Sequence, residues 1–486
     1  MEPLKVSIYA AQRFRESISK LGREIMKKVV SFILAMMLIV SLAACGESGK
    51  TEQKTPQPEG KTEENKTEAN KTQTPATSSG EEVTLRFVGW QTNHQEEDKK
   101  AAEEYNKLHP NIKVVFDYYG DQNASEYTKK VDLMLMGGEE MDIVATAAVP
   151  EHTQRASSGA YLALDDYFKA EGVDPKEIYS CLPVVDGKVY CMPADWKAWF
   201  VLLNKSYLEE AGLPIPSLDW TWQDYEEYAL KLTKGEGAEK RYGGYFHLWD
   251  TFNYLGVVSA KMDNALLKAD GSLNYDDPNL KAWLEFRNQL ENVDKCSAPF
   301  AEAKAMNMNY RSKFFNGEIA MLPIGSWMIN ELDDQGKYPH DFQTTFAPLP
   351  VFKDGKAGRT LVEAHFYSVS KNSKHPQEAY DFLRFYTTEG MKIRGVSISA
   401  VKGEDRMEYV EKMVDDPKYC DMEALKNVLN NPAWEDNLFV TIPKYQVQLT
   451  KLLTEETEKY LLGENDIDKA ISEMMSRGQK IVEENK

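Results

Sequence analysis

Three short segments set an indole ring beside hydrogen-bonding groups. They are Trp90 with Gln91 and Asn93, the triplet Asp195-Trp196-Lys197, and Trp327 directly after Gly325-Ser326. A flat ring packs against C–H groups, while its polar neighbours satisfy hydroxyls. A carbohydrate presents both kinds of surface, so a concave place lined this way could hold one. The triplet mixes a ring with two charged ends, which core packing would not ask for. Gly325 lets the backbone approach closely, and Trp327 is then either core or a surface offered to a ligand.

The signatures of catalysis are missing. There is no Gly-x-Ser-x-Gly elbow, no His-Glu-x-x-His helix and no Gly-x-x-x-x-Gly-Lys loop. The seven histidines do not cluster at metal-ligand spacing, and no Cys-x-x-Cys pair suggests zinc. Binding without catalysis, cofactor or metal is expected. Two carboxyl groups at a set separation would instead make a glycosidase, a distance that sequence spacing does not address.

These residues must be positioned by a sizeable fold. The 486 residues, 42% hydrophobic and 11% aromatic, suffice for two or three domains. Acidic residues outnumber basic ones, 77 to 58, for a net charge of -19, which argues against nucleic acid. Near the N-terminus, Met26-Lys27-Lys28 precedes an apolar run from Val29 to Leu42, too short to span a membrane comfortably. This is a secretory signal by its parts. Residues 1–25 precede the more natural start at Met26. The run ends in Leu42-Ala43-Ala44-Cys45, which resembles the bacterial lipobox, so Cys45 is expected to carry lipid and anchor the protein outside the cytoplasm.

Residues 46–80 contain no aromatic residue and no aliphatic one larger than alanine. Such a stretch cannot offset its chain entropy by burial and reads as a disordered tether reaching roughly 30–35 Å. Four cysteines remain, Cys181, Cys191, Cys296 and Cys420, with no disulfide expected.

From Glu81 the pattern alternates. Residues 83–88 and 112–116 read as strands, with helices from Glu96 to Leu108 and from Ser125, and a further strand at 142–145. This β-α-β-α-β order predicts an open α/β sheet. A hairpin over 187–193 and a strand at 200–203 follow, then helices capped by Thr221 and Asp277 and a strand at 365–370. In such a sheet the C-terminal edges of the strands line the ligand crevice, which favours Trp90. Trp220, Trp222 and Trp283 read as helix packing, and Trp199 is ambiguous.

Several segments, in order, resemble the extracellular solute-binding proteins of bacterial ABC importers, the sugar-binding group that includes the maltose-binding protein. They are the stretches 104–116, 127–146, 186–216, 219–233, 314–327 and 368–388, with Met141 where the family usually has proline before Asp142. The resemblance implies an α/β, two-lobe periplasmic-binding-protein-like fold with an interlobe ligand cleft and a hinge. It divides the chain into a signal (1–44), a lipidated tether (45–81), a first lobe (82–193 plus 348–395) and a second lobe (198–345 plus 396–486). It adds Asp142, and Trp249 with Asp250, to the candidate ligand residues; Glu363 and His365, where the strand at 365–370 begins, are candidate hydroxyl partners, with Trp434 a weaker one. It implies a monomer that closes on a sugar or oligosaccharide and passes it to an ABC permease, touching the membrane only through its lipid.

Overall fold

The computed structural model describes residues 82–352, 355–439 and 442–485. The expected signal segment, Cys45 and the tether lie outside them. Among the described residues ten strands form two mixed sheets. The first has the order β2 (Ile112–Tyr118), β1 (Val83–Gly89), β3 (Ile143–Thr146), β9 (Phe366–Val369), β4 (Met192–Pro193). The second runs β10 (Glu435–Asn437), β8 (Arg359–Glu363), β5 (Lys197–Asn204), β6 (Met321–Gly325), with β7 (Thr344–Pro348) also on β5.

Local sequence explains the elements. In β1 alternate residues Val83, Leu85 and Phe87 are buried, and β1 pairs in parallel with β2 and β3. Parallel pairing forces a crossover, which the helices Gln95–Leu108 and Ala124–Met136 supply. Asn123 caps the second of these by accepting from the amides of Ser125 and Glu126. Thr221 and Asp224 form a capping box at the helix Trp222–Leu232, and Asp277 caps Pro278–Asn288. Trp220 donates to the Pro348 carbonyl, and Trp222 and Trp283 lie fully in the core, as their helical positions predict. The four described cysteines are buried and free. The hairpin expected over 187–193 shrinks to a Val185–Lys188 bridge and the two-residue β4.

Three segments cross between the sheets side by side. The Ala194 amide donates to the His365 carbonyl (3.1 Å), the Trp196 amide to that of Ile398 (2.8 Å), and the Ala400 amide to that of Ala194 (2.9 Å). One expected boundary moves. Strand β8 pairs with β5 at Lys197–Glu363 and Ala198–Val362, and with β10, so residues 359–363 belong to the second sheet. The chain crosses back at Ala364-His365, not at 348. Local pattern could not say which sheet would receive an apolar strand buried on both faces.

Candidate functional site

The crossing strand β5 sorts its side chains by alternation. Asp195, Lys197 and Trp199 point to one face, Trp196 and Ala198 to the other. On the first face Lys197 lies 3.2 Å from the Asp195 carboxylate, both nearly enclosed. The other Asp195 oxygen accepts the His365 amide at 2.6 Å, and the His365 ring nitrogen Nδ1 stands 3.0 Å from Asp195 Oδ2. Burial would raise Asp195, but the charges and hydrogen bonds of His365 and Lys197 outweigh it and hold the carboxyl well below its ordinary range. Burial lowers Lys197 and His365. Asp195 thus ties two crossing segments together and stays ionised.

Two residues on, the Trp199 indole N–H donates to Glu363 Oε2 at 2.7 Å. Trp199 meets Trp327 edge-on, centroids 5.5 Å apart, and Trp327 meets Trp249 at 5.9 Å. Tyr310 and His247 complete the group, 5.1 and 4.8 Å from Trp249, and the Trp327 indole N–H donates to the Tyr310 hydroxyl at 3.2 Å. Trp249 is 36% exposed, high for so large an apolar side chain. Trp327 folds back over Gly325, where an added Cβ would fall 1.8 Å from its ring. The glycine is needed there for that close approach, not for its backbone angles.

From the first sheet, the C-terminal edges of β1 and β3 deliver the opposing groups. Trp90 follows β1 but is only 5% exposed. Its ring packs 5.0 Å from Tyr127 and carries His365 edge-on at 4.7 Å. Gln91 is half-buried and accepts from the Tyr367 hydroxyl at 3.3 Å, while Asn93 is exposed in the single turn Thr92–His94. After β2, Gly120, Asp121 and Gln122 all have positive φ, a strained turn of the kind found at functional sites. Lys337 reaches Gln122 Oε1 from the opposing side at 3.4 Å.

Two expected ligand residues lie elsewhere. Trp196 is 1% exposed and turned away. The Arg406 guanidinium sits 3.6 Å over its ring and its indole N–H donates to Asp436 at 2.9 Å. Trp434 joins the same group through Asp436. Alternation along β5 forces this, because Asp195 and Lys197 already occupy the other face. Asp142 precedes β3 opposite Arg86, near the middle of β1, some residues short of the edge that carries Trp90. It accepts the Arg86 amide at 2.8 Å and the Ser373 hydroxyl at 2.5 Å, a loop brace.

Other cleft residues escaped the sequence reading. Glu151 starts the helix Val149–Ser157 just after β3, so the strand-edge rule that favoured Trp90 could have found it. Burial pushes its carboxyl up to about 7, with Asp250 of the opposing lobe adding to the rise. Burial likewise raises the carboxyl of Glu363, an expected ligand residue. Tyr310 and Tyr254 carry no local mark, because only the long-range packing of the second lobe brings them in. Chemically, the arrangement offers ring faces on one side and charged or polar groups on the other, a place to hold a ligand with apolar faces and a hydrogen-bonding rim.

Known proteins share this build. A 23% identical relative over 390 residues, 76% of this chain and 81% of its own, is an uncharacterised ABC transporter extracellular-binding protein of Pyrococcus horikoshii. A sugar transporter of Rhizobium etli, solved in an open conformation, superposes with TM-score 0.65 at 27% identity, covering 81% of this chain and 98% of its own. An ABC substrate-binding protein of Listeria monocytogenes, solved in complex with cycloalternan, gives TM-score 0.69 at 21% identity over 83% of this chain and 99% of its own. These neighbours have the two-lobe α/β fold that the paired sheets and three crossings describe. Residues 91–393, most of both sheets and the crossings, match the model of one family, and the chain belongs to it: the bacterial extracellular solute-binding proteins.

Proposed function

We propose that this protein is the extracytoplasmic capture subunit of an ABC importer, closing its lobes on a sugar or oligosaccharide and handing it to a membrane permease. The observation that carries the reading is the open indole of Trp249 leading through Trp327 to Trp199, with Glu363 hydrogen-bonded beneath. Sugar C–H faces pack on such rings, and the carboxylate accepts from hydroxyls. The sugar transporter of Rhizobium etli and the cycloalternan-bound Listeria protein support the class of ligand. The three crossings give the lobes a place to rotate as the ligand enters. The anchor is the acylated Cys45, and the protein acts as a monomer.

A thermal-shift and calorimetric panel of mono- and oligosaccharides tests this. At least one saccharide raises the melting temperature, and Trp327→Ala weakens its binding by about 30-fold or more, roughly 2 kcal/mol. The protein releases no new reducing ends from it. If no saccharide binds, or if Trp327→Ala leaves affinity intact while stability falls, the reading is wrong.

A further inference from the structure

Two oppositely charged side chains stand opposite each other on the cleft face of the second sheet, yet do not pair. Lys197 and Glu363 are directly facing residues of the antiparallel strands β5 and β8. Side chains placed this way leave the same face of the sheet, with Cβ atoms about 5 Å apart, and opposite charges there attract. Lys197 is nearly enclosed and Glu363 is half-buried, so a direct contact would be little screened. Among the described residues, however, each is drawn to another partner. The Lys197 ammonium lies 3.2 Å from Asp195 Oδ2, two residues back along its own chain. Glu363 Oε2 accepts the Trp199 indole N–H at 2.7 Å, two residues ahead. The two pulls run in opposite directions along β5.

Both anchors are themselves fixed. Asp195 also accepts the His365 amide at 2.6 Å and stands 3.0 Å from that ring's Nδ1. Trp199 is 1% exposed, meets Phe252 and Trp327 edge-on at 5.3 and 5.5 Å, and accepts the Thr360 hydroxyl at its carbonyl. The ammonium has three N–H donors to place, and the second Glu363 oxygen accepts from nothing among the described residues. Between a held donor and a held acceptor, a hydroxyl satisfies both through one oxygen, because it accepts and donates at once. An ether oxygen accepts only, and a C–H does neither. A carboxylate or phosphate in this place would oppose Glu363, and an ammonium would oppose Lys197.

We infer that Trp199 is a positioning residue: by holding Glu363 away from Lys197 it keeps open a slot that one free hydroxyl of a neutral saccharide fills, accepting from the ammonium and donating to the carboxylate. This rests on the saccharide reading above and adds to it which feature of the sugar is read. The rings of Trp249 and Trp327 take the apolar faces, and the slot checks a single carbon for a free hydroxyl. A sugar lacking that hydroxyl, or carrying it methylated, leaves a desolvated carboxylate without its donor.

Calorimetry on the purified protein tests the inference. Glucose, galactose, mannose, xylose, arabinose and their common disaccharides are titrated first, and the tightest binder is compared with its monodeoxy and mono-O-methyl derivatives. At one carbon both derivatives bind at least about tenfold more weakly than the parent sugar. Trp199→Phe, which keeps a ring and removes the N–H, cuts that discrimination to about threefold or less, chiefly by weakening the parent sugar. Glu363→Ala does the same, and the double variant loses no more than either alone. Should Trp199→Phe fail to fold, benzothienylalanine at position 199 keeps the full indole shape without the donor and gives the same result. Three outcomes overturn the inference while leaving the saccharide reading standing. They are no carbon sensitive to both changes, discrimination unchanged without the position-199 donor, and parent and deoxy sugars weakened equally, as a merely structural role would do. Failure of every sugar on the panel overturns both.

Discussion

The two walls of the cleft are built from different materials. The second lobe presents rings that remain partly open, Trp249 and Trp327, bedded on Trp199 and Tyr310. The first lobe keeps its ring, Trp90, under cover and puts His365 over it, with Gln91 next in the chain. An aromatic wall takes many flat apolar faces with little discrimination. A wall of buried polar groups discriminates, because a mismatched ligand leaves a desolvated group unpaired at about 1–3 kcal/mol. We propose that the rings of the second lobe supply affinity and that polar groups of both walls, Gln91 and His365 from the first and Glu363 from the second, supply selectivity.

The largest effect that would break this contrast is on Trp90. Trp90→Ala is expected to remove about 3–5 kcal/mol of stability by opening a cavity between Tyr127 and His365. Denaturant unfolding would show it, with ligand affinity falling less than in Trp327→Ala. The reverse ranking would make Trp90 a ligand platform and the two walls alike. A smaller effect sharpens the second wall. Gly325→Ala forces Trp327 off the backbone it lies on, at about 1–3 kcal/mol of strain. Calorimetry should show roughly tenfold weaker binding with a nearly unchanged fold. Unaltered affinity would mean that the position of that ring is immaterial.

The smallest effect concerns acid. His152, in the first lobe, is 0% exposed, stacked on Tyr161 with Phe366 tilted against it, and burial lowers its pKa to about 3. A group depressed in the folded state lends stability above its unfolded value near 6.5, and that stability is lost as pH falls toward 3. At pH 5 the difference is about 1–2 kcal/mol. Melting curves from pH 7.5 to 4.5 should therefore fall less steeply for His152→Phe than for the parent. Parallel curves would show that His152 does not carry the acid sensitivity.

Much of this was legible without coordinates. The β-α-β-α-β rhythm, the Asn123, Thr221 and Asp277 caps and the core tryptophans of the second lobe are local features, decided within a few residues. The glycine before Trp327 likewise marks the close approach that its ring makes to the backbone. Asp142 and Trp196 were misplaced for a common reason. A residue type beside a strand says that a polar or aromatic group is available, not toward which face or which end of the sheet it points.

Sequence by itself determined the two-lobe α/β order, the family and the rings from which a ligand platform could be drawn, because periodicity, capping and turn chemistry act over short range. Only the tertiary structure decided that β8 joins the second sheet, and that Trp199 lies buried against Trp327 with its indole on Glu363 while Trp196 backs onto Arg406. Strand pairing and charge convergence link residues up to some two hundred positions apart, and no local pattern encodes which distant partner completes them.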